Sequence, residues 1–183
     1  MIFDRLDDAL AKWKMQGFIS LTGGEPFLKP KSLFYLAELI ENSPNFGSVA
    51  ILSNGTLINE WIISEIKKYK KIKEIQISLD GPDVLTHEAI RGKGTFAPAT
   101  DAIKALKNAG IKTSIMFTLN KKNIGYAAGM PKIARELGAD TLTVERMTTM
   151  NETEKEEFIK IFNSNSAKGL IHYFFSQRYK IFY

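Results

Sequence analysis

Polar residues follow five successive apolar segments of the sequence, and the first group offers the most specific chemistry. Gly23 and Gly24 end the segment FISLTGG and stand directly before Glu25 and Pro26. Two glycines expose backbone N–H and C=O groups at close range, and proline fixes the backbone that leaves the turn. The carboxylate of Glu25 suits a ligand ammonium group better than a phosphate, which would need Lys or Arg. The sequence therefore predicts an amino-group site at this turn.

Further candidates stand at the ends of the later apolar segments and in one loop. They are Asn54, Ser78, Asp80, Arg91, Asn120 and Arg146. The two arginines supply positive charge for a carboxylate, so that the whole set would match a zwitterionic amino-acid moiety. Each residue also has an ordinary explanation, since Asn-Gly is a common turn pair and aspartate often caps a turn. Their joint position at successive segment ends favours a ligand cleft.

The elements that would position these residues alternate along the chain. Strands are predicted at Phe18–Gly24, Ser48–Gly55, Lys73–Gly81, Lys112–Asn120 and Ala139–Met147. Helical periodicity covers residues 4–16, 31–42, 59–70, 95–109, 125–137 and 152–163. Strands separated by helices of this length predict right-handed βαβ units and a parallel sheet. The stretch DGPDVLTHEAIRGKGTF between the third strand and its helix is predicted to be irregular.

Composition narrows the possible functions. The chain has 183 residues, 44% of them apolar, a formal charge of +5, two histidines and no cysteine. These values predict a globular cytoplasmic protein with no membrane or nucleic-acid partner, and the lysines of residues 67–73 are interpreted as a solvated face. Without cysteine, the chain offers no ligands for a zinc-thiolate site or a cysteine-held iron–sulfur cluster. No metal site is predicted, and both histidines are interpreted as loop or surface residues.

Four blocks, LTGGEPFL, LSNGTLI, ISLDGPD…HEAIRGKGTF and LTVERM, resemble in order and spacing the radical S-adenosylmethionine (SAM) family. They are most similar to its peptide- and protein-modifying members, many of which carry a C-terminal domain for extra iron–sulfur clusters. The resemblance covers roughly residues 5–160. It implies an α/β fold, namely an incomplete (β/α)6 partial TIM barrel of parallel strands that lacks the first strand.

The resemblance also implies roles for the candidate residues. Gly23, Gly24, Glu25 and Pro26 would bind the methionyl amino group of SAM. Ser78 and Asp80 would lie near its ribose and carboxylate, with Asn54 at the matching end of the preceding strand. Arg91 would hold the substrate loop or the SAM carboxylate. Asn120 and Arg146 would flank the adenine, together with Ile115, Phe117 and Val144.

The sequence departs from the family at both ends. The CxxxCxxC loop that holds a [4Fe-4S] cluster is absent, and residues 1–16 resemble the helix that follows it. We therefore expect residues 1–163 to be part of a radical SAM barrel. Residues 164–183 are expected to be an aberrant tail, for which a frameshift is favoured over a membrane-leaning or partner-binding helix.

Three functions are compatible with these features. The favoured hypothesis is a fragment of a radical SAM enzyme, whose intact family cleaves SAM reductively to a 5′-deoxyadenosyl radical for peptide or small-molecule modification. Alone, such a fragment would be inactive, and its partners would be a peptide or protein substrate and a separate chain carrying the cluster cysteines. The alternative is a cluster-free module that binds SAM, a nucleoside or a peptide. A hydrolase or lyase with Glu25 and Asp80 as an acid/base pair is the third and least favoured.

Overall fold

The computed structural model describes residues 2–146, which contain six α-helices, five strands and two short 3₁₀ turns. In chain order these elements are α1 (Ile2–Trp13), β1 (Gly17–Leu21), a 3₁₀ turn (Pro26–Leu28), α2 (Pro30–Asn42), β2 (Phe46–Ser53), α3 (Glu60–Ile66), β3 (Ile72–Ser78), α4 (Val84–Arg91), α5 (Phe96–Asn108), β4 (Thr113–Leu119), a 3₁₀ turn (Ile124–Gly129), α6 (Met130–Leu137) and β5 (Thr141–Arg146).

The five strands form one parallel sheet in the order of the chain, β1-β2-β3-β4-β5. Right-handed crossovers that always step in the same direction bring every connecting helix to the same face of the sheet. This winding builds a barrel wall, whereas a doubly wound sheet reverses direction and carries helices on both faces. The predicted fold class, a partial α/β barrel with parallel strands, is confirmed.

The two faces of the sheet differ in burial because successive side chains alternate along each strand. The face that packs on the helices is apolar and buried, and contributes Val49, Ile51, Ile75, Ile77, Ile115, Phe117, Leu142 and Val144 to the core. The opposite face is half-exposed and more polar, and includes Ala50, Leu52, Gln76, Ser78, Met116 and Thr118. A half-exposed inner face is what the wall of an incomplete barrel presents.

The stretch predicted to be irregular contains α4, so that prediction was wrong. The helix begins after Asp83, whose side chain accepts a hydrogen bond from the Thr86 N–H at 2.9 Å. It ends at Arg91, and the residue that follows, Gly92, has a φ of 98°. The interpretation of His87 as a loop or surface residue was also wrong, because His87 lies in α4 and is 1% exposed.

Other features concern the surface of the described residues and the part of the chain beyond them. Trp61 in α3 is 51% exposed, and its ring packs edge-on against the ring of Phe34. β1 is an edge strand of the sheet, and its Phe18 is 74% exposed. Within residues 2–146, no helix is long and apolar enough to cross a bilayer. The predicted helix at 152–163 and the boundary after residue 163 lie outside the described residues.

Candidate functional site

The turn after β1 has an open glycine surface. Gly23 and Gly24 adopt φ values of 102° and 53°, a region that residues with a side chain rarely enter. Both residues are exposed, and a Cβ atom added to either would meet no heavy atom within 4 Å. The glycines are therefore required by backbone conformation, and the space above their backbone is free for a ligand.

Glu25 holds this turn against the end of β2. Its Oε1 atom accepts hydrogen bonds from Ser53 Oγ at 2.7 Å and from the Phe27 N–H at 3.2 Å. Its Oε2 atom accepts the Asn54 N–H at 2.8 Å. An ionised carboxylate has about four acceptor sites, so these three bonds leave roughly one for a ligand. Most of the hydrogen bonds of the Glu25 carboxylate therefore position the glycine turn.

The end of β2 is itself a tight turn. Asn54 Oδ1 accepts hydrogen bonds from the Thr56 N–H at 2.9 Å and from Thr56 Oγ1 at 2.7 Å, while Ser53 Oγ accepts the Gly55 N–H at 2.9 Å. Gly55 has a φ of 79°, and a Cβ there would lie 3.1 Å from the Cα of Ala99. The Asn54 amide nitrogen has no partner in the part of the chain that the structure describes. Ser53, which directly precedes Asn54 at the strand end, is the residue that joins this turn to Glu25.

Asp80 joins three elements at the carboxyl end of β3. It is 2% exposed, and its Oδ2 lies 2.7 Å from Arg91 Nε while its Oδ1 accepts the Thr118 N–H at 2.9 Å. These bonds connect the end of β3 with α4 and with β4. Pro26, also predicted for the site, occupies the first position of the 3₁₀ turn.

A buried asparagine completes this network. Asn123 is fully buried and donates hydrogen bonds to the carbonyls of Asp80 at 3.0 Å and Thr118 at 2.9 Å. Its own Oδ1 accepts the Asn120 N–H at 2.8 Å, while Asn120 Oδ1 accepts the Lys122 N–H at 2.8 Å. Asn123 was missed because it lies between the predicted strand end at Asn120 and the predicted helix at 125–137, where the sequence shows no periodic pattern.

His87 packs against the same network. The Asp80 N–H donates to its Nδ1 atom at 3.1 Å, and the imidazole ring meets the ring of Phe96 edge-on at 5.7 Å. Burial, and then the charge of Arg91, lowers the pKa of His87 below its usual 6.5, while Asp80 and Glu88 act in the opposite direction. The ring is therefore neutral at pH 7.

A cavity of about 330 Å³ opens beside this network, and it brings together three of the predicted site residues. It is lined by Asn54, Asp80, His87, Ile90, Arg91 and Thr95. Ser78 lies on the half-exposed face of the sheet, level with Met116, and does not line the cavity. Arg146 is the last residue of β5 and is paired in register with Leu119. Among residues 2–146, no group of three or more metal-ligating side chains comes together.

These features define a class: a barrel-type parallel α/β sheet with a polar cleft at the carboxyl ends of its strands, where such folds bind ligands. The model of the Radical SAM superfamily matches residues 1–129. The chain therefore belongs to the radical SAM superfamily, as the sequence blocks implied.

Curated relatives are about one-third identical to the chain over 65–73% of its length. The antilisterial bacteriocin subtilosin biosynthesis protein AlbA of Bacillus subtilis is 34% identical over 65% of this chain, which corresponds to 26% of its own length. The mycofactocin maturase MftC of Mycobacterium ulcerans is 31% identical over 73% of this chain and 36% of its own. An AdoMet-dependent heme synthase of Oleidesulfovibrio alaskensis is 33% identical over 66% of this chain and 30% of its own. The chain thus spans about a quarter to a third of these relatives.

Solved structures share the fold. SuiB of Streptococcus suis bound to S-adenosylmethionine superposes with a TM-score of 0.68 and 16% identity, over 90% of this chain and 36% of SuiB. Native anSMEcpe with bound AdoMet superposes with a TM-score of 0.73 and 17% identity, over 96% of this chain and 52% of anSMEcpe. At these identities the likeness concerns the fold.

Proposed function

We propose that this chain is the SAM-binding wall of a radical SAM enzyme that modifies a peptide. The observation that carries the proposal is the open Gly23–Gly24 turn, which Glu25 ties to the end of β2. Its exposed backbone offers carbonyl acceptors to an ammonium group, and the remaining acceptor site of Glu25 adds a negative charge. The chain belongs to the radical SAM superfamily, and one of its relatives is named as AdoMet-dependent. We therefore propose SAM as the ligand.

The residues present fit SAM but not an iron–sulfur cluster. The glycine turn would hold the amino group, and the cavity beside Arg91 and Asn54 offers donors for a carboxylate. In the intact family, bound SAM supplies a 5′-deoxyadenosyl radical after reductive cleavage. The 183 residues contain no cysteine and hence no thiolate for the [4Fe-4S] cluster. The cluster ligands must come from outside these residues, for example from a separate chain.

The substrate class is proposed from the relatives. A bacteriocin biosynthesis protein and a mycofactocin maturase are among the curated relatives, and a structural neighbour, SuiB, was solved with its precursor peptide SuiA. The half-exposed inner face of the sheet, with polar Gln76, Ser78 and Thr118, is the surface on which a peptide would lie facing the bound SAM. In this arrangement the chain orients both ligands.

Calorimetric titration of SAM into the chain tests the proposal. We expect Gly24→Ala to reduce the affinity at least tenfold, because the added Cβ occupies the space through which the ligand approaches the backbone. Gly110→Ala is the matched control, since Gly110 also has a positive φ, 74° against 53°, and open space around it but follows α5. Undetectable binding to the wild-type chain, or equal affinities in the two variants, would contradict the proposal.

A further inference from the structure

The dipeptide Asn54–Gly55 follows the end of β2, and it is the one Asn–Gly pair in the 183 residues. In such a pair the backbone nitrogen of glycine attacks the side-chain carbonyl carbon, Cγ, of asparagine. A succinimide ring closes, and the amide nitrogen leaves as ammonia together with the backbone proton. Water then opens the ring to aspartate or isoaspartate. Because glycine has no side chain to hinder the attack, Asn54 is by sequence the most labile amide of the chain.

The folded turn holds the attacking nitrogen. The Gly55 N–H donates a buried hydrogen bond to Ser53 Oγ at 2.9 Å, and the Ser53 hydroxyl in turn donates to Glu25 Oε1 at 2.7 Å. Since the Ser53 proton is directed at the carboxylate, the lone pairs of Oγ remain available to Gly55. An intramolecular attack requires closely aligned reacting atoms, so this bond has to break before the nitrogen can join Cγ.

The attacked side chain is held as well. Asn54 Oδ1 accepts hydrogen bonds from the Thr56 N–H at 2.9 Å and from Thr56 Oγ1 at 2.7 Å. At the other end of the residue, the Asn54 N–H donates to Glu25 Oε2 at 2.8 Å. These three bonds limit the rotation that would bring Cγ to the nitrogen of Gly55. Ring closure in the folded protein therefore costs hydrogen bonds on both reacting groups.

We infer that Asn54 is a deamidation site which the Ser53 hydroxyl keeps in its amide form. Ser53 is thus a positioning residue, and this role does not depend on SAM binding. Isoaspartate would lengthen the main chain between Gly55 and the N–H that Glu25 binds, which would loosen the glycine turn. Aspartate would add a negative charge to the cavity that Asp80 also lines. The lifetime of the intact site therefore depends on Ser53.

A self-reactive turn is the competing explanation. The two donors of Thr56 on Oδ1 would stabilise the negative charge that develops there during the attack. Glu25 would meanwhile draw the Gly55 proton through the Ser53 hydroxyl. The two explanations make opposite predictions for Ser53→Ala. Deamidation becomes faster if the hydroxyl restrains the nitrogen, and slower if the hydroxyl relays the proton.

The test measures deamidation of the full chain under native conditions, from the mass of the tryptic peptide that contains residue 54 and from its isoaspartate content. We expect Ser53→Ala to convert about tenfold faster than the wild type or more, because Gly55 loses its hydrogen-bond acceptor. Ser48→Ala is the matched control, since Ser48 is also in β2 but lies near its amino end, and its rate should equal that of the wild type. A Ser53→Ala rate equal to or below the wild-type rate would overturn the inference.

A loss of global stability is the other way in which Ser53→Ala would speed the conversion. Low concentrations of guanidinium chloride separate the two causes, because global unfolding rises steeply with denaturant whereas local opening of the turn hardly responds. We expect the Ser53→Ala rate to be nearly independent of denaturant below the unfolding transition. A steep rise in that range would refute the role of the hydroxyl.

A measurement on the unchanged protein covers the case in which Ser53→Ala does not fold. The wild-type chain is compared in its folded form and unfolded in concentrated guanidinium chloride. We expect the folded chain to deamidate at residue 54 about tenfold more slowly than the unfolded chain or less, because only the folded turn holds the two reacting groups. Equal rates, or a faster folded chain, would refute the inference.

Discussion

Replacing Asp80 by asparagine should destabilise the fold more than any other single polar substitution at the site. The exchange keeps the volume of the side chain but removes its charge. In the native protein the two carboxylate oxygens accept from Arg91 Nε at 2.7 Å and from the Thr118 N–H at 2.9 Å. An asparagine can accept only one of these bonds, and its amide hydrogens would face the other donor.

The size of the effect follows from burial. Hydrogen bonds to charged groups are worth about 1.5–3 kcal/mol each, and breaking a buried ion pair on one side costs about 3–5 kcal/mol. The Asp80 side chain is 3% exposed but that of Arg91 is 29% exposed, so water relieves part of the loss on the arginine side. We therefore expect the free energy of unfolding to fall by about 3 kcal/mol, a large share of the roughly 5–15 kcal/mol of a typical domain.

Urea unfolding, followed by circular dichroism, measures this loss as a shift of the midpoint at constant slope. Glu74→Gln is the control, because it neutralises a carboxylate that is 25% exposed, against 3% for Asp80, in an ion pair with the exposed Lys112, and it should cost about 0.2–1 kcal/mol. Arg91→Met, which leaves the Thr118 bond in place, should fall between the two. If the urea midpoints of Asp80→Asn and Glu74→Gln agree within error, Asp80 is not the centre of this hydrogen-bond network.

Three further predictions concern the rest of the molecule. Burial alone would raise the pKa of Asp140, but the hydrogen bonds from Lys107 and a backbone N–H lower it overall below 3.8. This stabilisation is present above pH 3.8 and lost as the pH falls through the lower folded value, so Asp140→Asn should flatten the acid limb of a plot of urea midpoint against pH. Gly55→Ala should cost about 2–3 kcal/mol by urea unfolding, against about 1 for Gly110→Ala, because only the former Cβ approaches a backbone atom, the Ala99 Cα at 3.1 Å. Anaerobic reconstitution with iron and sulfide should give no four-iron absorbance on this chain, and a stable cluster would contradict the assignment of its ligands to residues outside it.

The regular elements could be predicted because their signals are local. Each strand is a short apolar run bounded by turn residues, and each long helix has a clear apolar period. The helix α4 was not predicted because it has only eight residues and follows the segment DGPD, which is typical of a turn. Its end signals, Asp83 three residues before Thr86 and Gly92 after Arg91, were nevertheless present in the sequence.

The sequence predicted where the site lies but not which hydrogen bonds its residues make. Parallel strands bring their carboxyl ends to one edge, which is why Glu25, Asn54 and Asp80 were expected there. Which donor each carboxylate would meet depends on register and on loop geometry. Asp80 meets a backbone N–H 38 positions away, and Glu25 meets one 29 positions away. No local pattern encodes contacts across such separations, so both carboxylates looked freer for a ligand than they are.

These hydrogen bonds within the protein limit which groups at the cleft can contact a ligand. The two carboxylates that the sequence offers as ligand contacts use half or more of their acceptor sites within the protein: Glu25 mainly at the end of β2, and Asp80 on α4 and β4. What remains for a ligand is the glycine backbone and the unused side-chain donors of Asn54 and Arg91 in the cavity. A loss of binding in a Glu25 or Asp80 variant would therefore not identify either residue as a ligand contact, because a displaced turn or strand end has the same effect. Only substitutions that leave the scaffold bonds in place can separate positioning from contact at this site.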